Sequence, residues 1–341
     1  MSRPGPTVDE LADAVRAGSR SSLARAITLV ESRRADDRLR ARDLLAALRS
    51  EAVDTCRIGV SGIPGVGKSS FIETLGRHLI DRGHRVGVLA IDPSSVRTGG
   101  SVLGDKTRMP SLAVDPRAFV RPSPTAGTLG GVARTTARTM TLVEAAGFDV
   151  IIVETVGIGQ SEFAVASMVD TFLLLALARS GDQLQGIKKG VLEVADIVAV
   201  NKADGDHLVE ARSAARDLRQ ALHVVGQPEG AWRPVVTTCS ALTGAGVDGV
   251  WQAVQDHRAF HGPDELRRRR AAQQWSFVHT LVTDELTDRL RRSTAVSRLQ
   301  DSVRTEVLEG RLGAGEAADL LLAAFDGRPA GPSADTRPGR G

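Results

Sequence analysis

Between the apolar run Arg57–Ser61 and an amphipathic stretch over 67–83, the chain carries Gly62-Ile63-Pro64-Gly65-Val66-Gly67-Lys68-Ser69-Ser70. Few segments restrict a fold as tightly. The glycines let the backbone curl so that successive N–H groups face one point, and the helix that follows adds the positive end of its dipole. The pattern G-x-x-x-x-G-K-[ST] between a strand and a helix predicts an anion cradle at the carboxyl edge of a parallel sheet. Lys68 is expected to reach the β- and γ-phosphates of a nucleotide, and the Ser69 hydroxyl to sit on Mg²⁺.

Further apolar runs suited to buried strands follow at Val86–Ile91, Ala118–Arg121, Val150–Glu154, Thr171–Leu177, Ile197–Asn201 and Val235–Thr238. Helical patterns separate most of them, at 128–147, 184–194, 206–222 and 247–260. Strands alternating with helices predict an α/β fold, a doubly wound and mainly parallel sheet of the P-loop NTPase kind, with ligands at the carboxyl ends of the strands. Residues 1–52 read as an N-terminal helical extension and 53–262 as the nucleotide-binding domain. Residues 263–326 read as a C-terminal helical arm, with helices over 264–292 and 294–325, and 327–341 as a Gly/Pro/Arg-rich disordered tail.

Composition narrows the class. The 341 residues include 44 Lys+Arg against 41 Asp+Glu, a net +3 that gives no basic stripe for nucleic acid. Two cysteines, Cys56 and Cys239, make no disulfide scaffold and are expected to pack as small hydrophobes. No run approaches a membrane span and the start shows no secretory signal, so the expectation is a cytoplasmic protein with no membrane or nucleic-acid partner. The seven histidines are scattered and read as surface residues, and Arg267–Arg270 as the solvated start of a helix. Only five lysines are present, Lys68, Lys106, Lys188, Lys189 and Lys202, and a single asparagine, Asn201. In a chain so biased towards Arg, each retained Lys is a candidate for a site that needs a compact ammonium, with chance survival as the alternative.

Asn201-Lys202-Ala203-Asp204 stands at the carboxyl end of one predicted strand, with Ser240-Ala241-Leu242 after the next. Asp204 can accept from guanine N1–H and the 2-amine, whereas adenine would leave that carboxylate unpaired, a penalty that gives large discrimination. Asn201 braces the loop and contacts the base, the Lys202 stem lies along the ring, and a backbone N–H from 240–242 meets guanine O6. GTP is therefore expected over ATP. The run Val150-Ile-Ile-Val-Glu154-Thr-Val-Gly157 ends a strand with a carboxylate for the Mg²⁺ shell and a glycine N–H for the γ-phosphate. Asp92 reaches the same rim, and Asp105 lies in a glycine-rich stretch that reads as a first switch; helix capping or simple solvation is the alternative for each acid.

The motifs Ala90-Ile-Asp-Pro-Ser-Ser95, Arg97-Thr-Gly-Gly100, Leu103-Gly-Asp-Lys-Thr-Arg-Met109, Arg121-Pro-Ser-Pro124 and Gly127-Thr-Leu-Gly-Gly131 resemble one group of GTPases. So do Val153-Glu-Thr-Val-Gly157, Gly159-Gln-Ser-Glu162 and Leu184-Gln-Gly-Ile-Lys-Lys-Gly190. This dense set over 57–250 resembles the methylmalonyl-CoA mutase-associated GTPases (MeaB/ArgK/MMAA), in the metallochaperone-like branch of P-loop GTPases. The resemblance implies a homodimeric G-protein chaperone that gates cofactor loading and repair for an adenosylcobalamin-dependent acyl-CoA mutase, which in turn accelerates slow GTP hydrolysis. It also implies Mg²⁺ positions at Ser69, Asp92, Asp105 and Glu154, and a partner-responsive loop carrying Asp182, Gln185 and Lys188. Lys188 there would take the arginine-finger role.

The chain departs from relatives at Ala178-Arg-Ser-Gly-Asp-Gln183, where they show a Pro-Gly turn and an acid in place of Gln183. It has no D-x-H-x-x-G motif, so no cobalamin is expected to be held by this chain alone. Three rival readings are a kinase or ATPase linked to lysine/arginine/ornithine transport, a nickel metallochaperone, and a nucleotide-binding scaffold that barely hydrolyses. Asp204 disfavours the first, the lack of a His/Cys-rich site the second, and the intact phosphate loop and acids the third.

Overall fold

A computed structural model describes residues 6–32, 34–49, 55–92, 109–124, 129–155, 161–178, 189–225 and 230–328. Among them seven strands form one parallel sheet in the order β3-β2-β4-β1-β5-β6-β7. The strands are β1 (Cys56–Gly62), β2 (Val86–Asp92), β3 (Ala118–Pro124), β4 (Val150–Glu154), β5 (Thr171–Leu177), β6 (Ile197–Asn201) and β7 (Val235–Thr238). All seven coincide closely with the apolar runs of the sequence. Because β1 feeds β2 on one side and β4 feeds β5 across it, the chain changes winding direction at β1. Such a switch point leaves a crevice beyond the carboxyl ends of the strands.

Both faces of the sheet are covered, which is why the strands read as continuous apolar runs rather than alternating ones. One face buries Ile58, Val60, Ile152, Leu173 and Leu175 against Phe71, Leu75 and Leu79 of α4 (Lys68–Asp81) and Val250 and Val254 of the helix that follows β7. The other face buries Ile151, Val153, Phe172 and Leu174 against Leu142 and Val143 of α5 (Leu129–Ala145). The N-terminal segment forms α1 (Val8–Arg16), α2 (Arg20–Glu31) and α3 (Ala35–Ala47). Leu11, Val15, Leu23, Ile27 and Leu44 of these helices are buried in the core that includes α5, so the extension completes that face of the sheet. Thr7 caps α1 through a reciprocal bond pair with Glu10.

Two polar residues lie elsewhere than the sequence suggested. Arg270 of the run Arg267–Arg270 turns inward: it and Leu266 stand four residues apart on the buried face of the helix. Its guanidinium grips Asp170 in a two-point contact, Nε to Oδ1 at 2.7 Å and Nη2 to Oδ2 at 2.6 Å. Arg258 Nη1 (3.0 Å) and the Arg57 amide (3.0 Å) also donate to Asp170. His257 is fully buried, its Nδ1 2.8 Å from Thr171 Oγ1 and its Nε2 3.1 Å from His261 Nε2. Both correct the surface reading, and for one reason: a helix laid over a sheet must turn one side inward, and local sequence does not say which polar residue finds a partner there. Cys56 and Cys239 are buried and unbridged, and burial pushes each thiol up to about 12.

The helix after β7 runs Val247–Arg292 with a break at Gly262 (φ 67°, ψ 170°) before Pro263. The chain divides into two compact units, Met1–Phe277 and Val278–Gly341. Within the second, Thr294–Leu308 and Ala314–Phe325 are separate helices where the sequence pattern read one. Gly310 (φ 75°) stops the first of them, with the Arg311 and Leu312 amides turning back onto the Glu306 carbonyl. Among the described residues no helix is long and apolar enough to cross a membrane. The expected disordered tail falls outside the described residues from 329 onward.

The Asp170 cluster generates a prediction. Burial alone would raise its carboxyl, but the Arg270 bond and charge and the Arg57 amide outweigh it and hold the group below the ordinary 3.8. The folded chain thus favours the ionised form, so the stabilisation is full above the ordinary aspartate range and is lost as pH falls through the lower folded value. Asp170→Ala should lower the unfolding free energy by about 3–5 kcal/mol at neutral pH, since it strands buried guanidinium groups. The gap to wild type should narrow below about pH 4. Urea unfolding at a series of pH values measures both.

Candidate functional site: a phosphate loop braced to a second loop

The phosphate loop follows β1 at the switch point and opens α4. Gly67, the residue before the helix, has φ 95°, a left-handed conformation that favours glycine. A Cβ there would also lie 2.8 Å from Asn201 Nδ2, so the position is closed to any side chain on two counts. Lys68 is buried, and its Nζ donates to the carbonyls of Gly62 (2.7 Å) and Ile63 (3.3 Å), which places the ammonium over the turn itself.

Ser69 Oγ donates to Glu154 Oε1 at 2.9 Å. The parallel register sets that meeting: Val60 lies beside Glu154, so the acid ending β4 stands next to the start of the loop. One residue on, Thr155 Oγ1 donates to Ser61 Oγ at 2.9 Å and ties the two strand ends together. Hydroxyl and carboxylate oxygens are hard donors, and they suit a small hard cation. Among the described residues no group of three or more His, Cys, Asp or Glu side chains could hold a metal unaided. That donor set fits Mg²⁺, which is held by one or two carboxylates plus phosphate oxygens and water, rather than a dedicated transition-metal cage. Asp92 is the last residue of β2. Asp105, Gly157, Asp182, Gln185 and Lys188 lie outside the described residues.

Asn201 is buried at the carboxyl end of β6 and joins two loops. Its Nδ2 donates to the Val66 carbonyl of the phosphate loop (2.8 Å), and its Oδ1 accepts from the Ala241 amide (3.0 Å). The next residue, Lys202, has φ 61°, the one non-glycine positive φ among the described residues. That turn lets the chain double back so that Asp204 Oδ1 accepts from Ser240 Oγ at 2.6 Å. The sequence-predicted residues Gly67, Ser70, Asn201, Lys202, Asp204, Ala241 and Leu242 all line one cavity of about 400 Å³. Ile63, Pro64, Gly65 and Val66 fall in the turn between β1 and α4.

Glu73, Thr74 and His207 also line this cavity and were not singled out in the sequence. For Thr74 a signal existed: it lies one helical turn beyond Ser70 and therefore faces the same way. Its Oγ1 donates to the Ala241 carbonyl at 2.7 Å. Nothing in the sequence marks His207, which enters through the short 3₁₀ turn Gly205–His207 after Asp204.

The chain is similar to several known proteins. A family model described as methylmalonyl Co-A mutase-associated GTPase MeaB matches residues 23–295. Probable GTPase Rv1496 of Mycobacterium tuberculosis (strain ATCC 25618 / H37Rv) is 56% identical over 317 residues, covering 93% of this chain and 94% of its own length. The mitochondrial methylmalonic aciduria type A homolog of Mus musculus is 43% identical over 332 residues, covering 94% and 80%. A crystal structure named LAO/AO transport system kinase superposes with a TM-score of 0.75 at 35% identity, covering 96% of this chain and 100% of that one. Together with a phosphate loop at the sheet's switch point, these likenesses make the chain a guanine-nucleotide-binding GTP hydrolase. It belongs to the methylmalonyl-CoA mutase-associated GTPase family.

Proposed function

We propose that the chain is a Mg²⁺-dependent GTPase that serves as a chaperone for an adenosylcobalamin-dependent acyl-CoA mutase. The observation that carries the nucleotide part is the Asn201 brace, which holds the phosphate loop and the 240–242 loop at a fixed spacing. In this reading the backbone N–H groups along Gly62–Ser70, of which Pro64 has none, and the Lys68 ammonium cradle the phosphates. Asp204 takes the N1–H and 2-amine edge of guanine, and the Lys202 stem covers the ring.

Ser69 and Glu154, with Asp92 and Asp105, would hold Mg²⁺, which when bound neutralises charge developing on the transferred phosphoryl group. The Gly157 amide senses the γ-phosphate. Asp182, Gln185 and Lys188 respond to the partner, Lys188 adding positive charge in the transition state. Each such contact acts chiefly on the leaving and transferred oxygens, so its loss should lower turnover more than nucleotide affinity.

The family name supports the mutase as partner, and the Mus musculus relative named for methylmalonic aciduria points the same way. Within the second compact unit, Val278, Val282 and Leu286 recur about one per helical turn and are 42%, 52% and 50% exposed. An apolar stripe of that kind favours a homodimer through the C-terminal arm. The name of the LAO/AO transport system kinase structure favours a second reading, a nucleotide-dependent kinase linked to transport. A carboxylate selective for guanine argues against it, and competition between GTP and ATP for the site separates the two.

Two outcomes are expected. Asp204→Asn exchanges an acceptor oxygen for an amide donor, so binding measured by calorimetry should weaken for GDP and strengthen for xanthosine diphosphate, with Lys68→Ala as the non-binding control. An unchanged preference for GDP would dismiss the base-pocket assignment. In single-turnover hydrolysis, added mutase should raise the GTPase rate of the wild-type chain and raise that of Lys188→Ala much less, by a factor of at least about 10. If no acyl-CoA mutase from the native cell alters the rate or copurifies with the chain, the chaperone reading fails.

A further inference from the structure

We infer that Thr74 is a positioning residue for guanine selection: from the phosphate-loop helix it aims the Leu242 backbone amide at the 6-position of the bound base. The inference rests on the base-pocket reading proposed above and adds a determinant to it.

Four amides lie along 240–243, and most are spent. The Ser240 N–H donates to the Ala245 carbonyl (2.8 Å), the Ala241 N–H to Asn201 Oδ1 (3.0 Å) and the Thr243 N–H to Ser240 Oγ (3.1 Å). The Leu242 N–H has no partner among the described residues, and Leu242 is one of the residues lining the cavity of about 400 Å³. Its direction is not left to chance. Thr74 Oγ1 donates to the Ala241 carbonyl at 2.7 Å, and that carbonyl belongs to the same planar unit as the Leu242 N–H. No cis peptide occurs among the described residues. In a trans peptide the C=O and the following N–H point in opposite directions, so a hydroxyl gripping one fixes the other.

The Ala241 residue is therefore pinned on both sides, its N–H by Asn201 and its C=O by Thr74. Leu242 itself is 85% exposed, so its side chain contributes little packing and its amide is the group that matters.

The chemistry selects one base feature. Guanine and hypoxanthine carry an acceptor oxygen at position 6, and adenine carries an amine donor there. A fixed N–H meets the first as a hydrogen bond and the second as two donors face to face, which leaves a buried polar group unsatisfied. Asp204 reads the N1–H and 2-amine edge, so the two determinants read different atoms of one base. This gives the helix that begins at the phosphates a second task, holding the loop that reads the ring.

The experiment uses the full chain and compares Thr74→Val, which keeps the shape and deletes the hydroxyl, with Thr74→Ser, which keeps the donor. Leu242→Pro deletes the amide directly and leaves the Thr74 bond in place. The probes are GDP and IDP, which carry the 6-oxygen, and 6-thio-GDP, which keeps the N1–H and 2-amine but has a much weaker acceptor at position 6. Thr74→Val should weaken GDP and IDP alike, by about 5- to 10-fold, and 6-thio-GDP by less than about 2-fold. Leu242→Pro should show the same pattern, and Thr74→Ser should recover wild-type affinity. In GTP hydrolysis the loss should fall on KM with kcat unchanged.

Equal weakening of GDP and 6-thio-GDP by both Thr74→Val and Leu242→Pro would mean a merely structural role and overturn the inference. So would wild-type affinity for GDP in Leu242→Pro, which also decides the matter should Thr74→Val fail to fold. Asp204→Asn in the same titrations keeps the two ideas apart. A shift towards xanthosine diphosphate there, with no effect of Thr74→Val, overturns this inference alone. No shift removes the base-pocket reading beneath it.

Discussion

The site depends on one buried amide side chain. Asn201 donates to the Val66 carbonyl and accepts from the Ala241 amide, so a single planar group sets the distance between the loop after β1 and the loop after β7. Both loops hang from strands that are not neighbours: β5 and β6 stand between them in the sheet. Backbone pairing alone fixes each strand but says little about a loop beyond its end. A side chain that satisfies one polar group from each loop supplies the missing constraint, and removing the bond to Val66 would leave a buried carbonyl unpaired. The crowding of Asn201 Nδ2 against Gly67 shows how closely this side chain approaches the phosphate loop, with no room for a β-carbon between them.

The parallel sheet makes that brace possible. Its winding changes direction at β1, which opens the crevice where the phosphate loop sits, and the same register brings Glu154 beside Val60 and so within reach of Ser69. A hydroxyl and a carboxylate from residues far apart in the chain become one pair of hard oxygen donors because two strands are aligned, not because the sequence places them together. At the amino ends of the strands a different device appears. Asp170, just before β5, gathers Arg258, Arg270 and the Arg57 amide, and so binds the last helix of the first compact unit to the base of the sheet. Nucleotide chemistry at one edge and an ionic anchor at the other are separated by the length of the strands.

Much of this was readable in the residues. The phosphate loop announced itself because its function demands particular residue types at fixed spacing, and the seven strands did so because burial on both faces demands continuous apolar runs. Asn201 and Lys202 stood out in a chain with one asparagine and five lysines. What could not be read were polar residues whose meaning comes from a distant partner. Arg270 looked like one member of a solvated arginine run, and His257 like a scattered surface histidine, because the groups that hold them, Asp170 and Thr171, lie on another element. The spacing of Thr74 from Ser70 gives its helix face, but the Ala241 carbonyl that gives its hydroxyl a role lies on another element.

The sequence by itself determined the fold class, the phosphate cradle and the family of motifs, since each is a local requirement: a turn that needs glycine, a strand that needs burial, a loop that needs an ammonium. Only the tertiary structure decided which hydrogen-bond donors remain to meet a ligand. Polar groups around a site compete for partners from distant parts of the chain, and the Leu242 amide, without a partner among the described residues, is identified only after the others along its loop have found theirs.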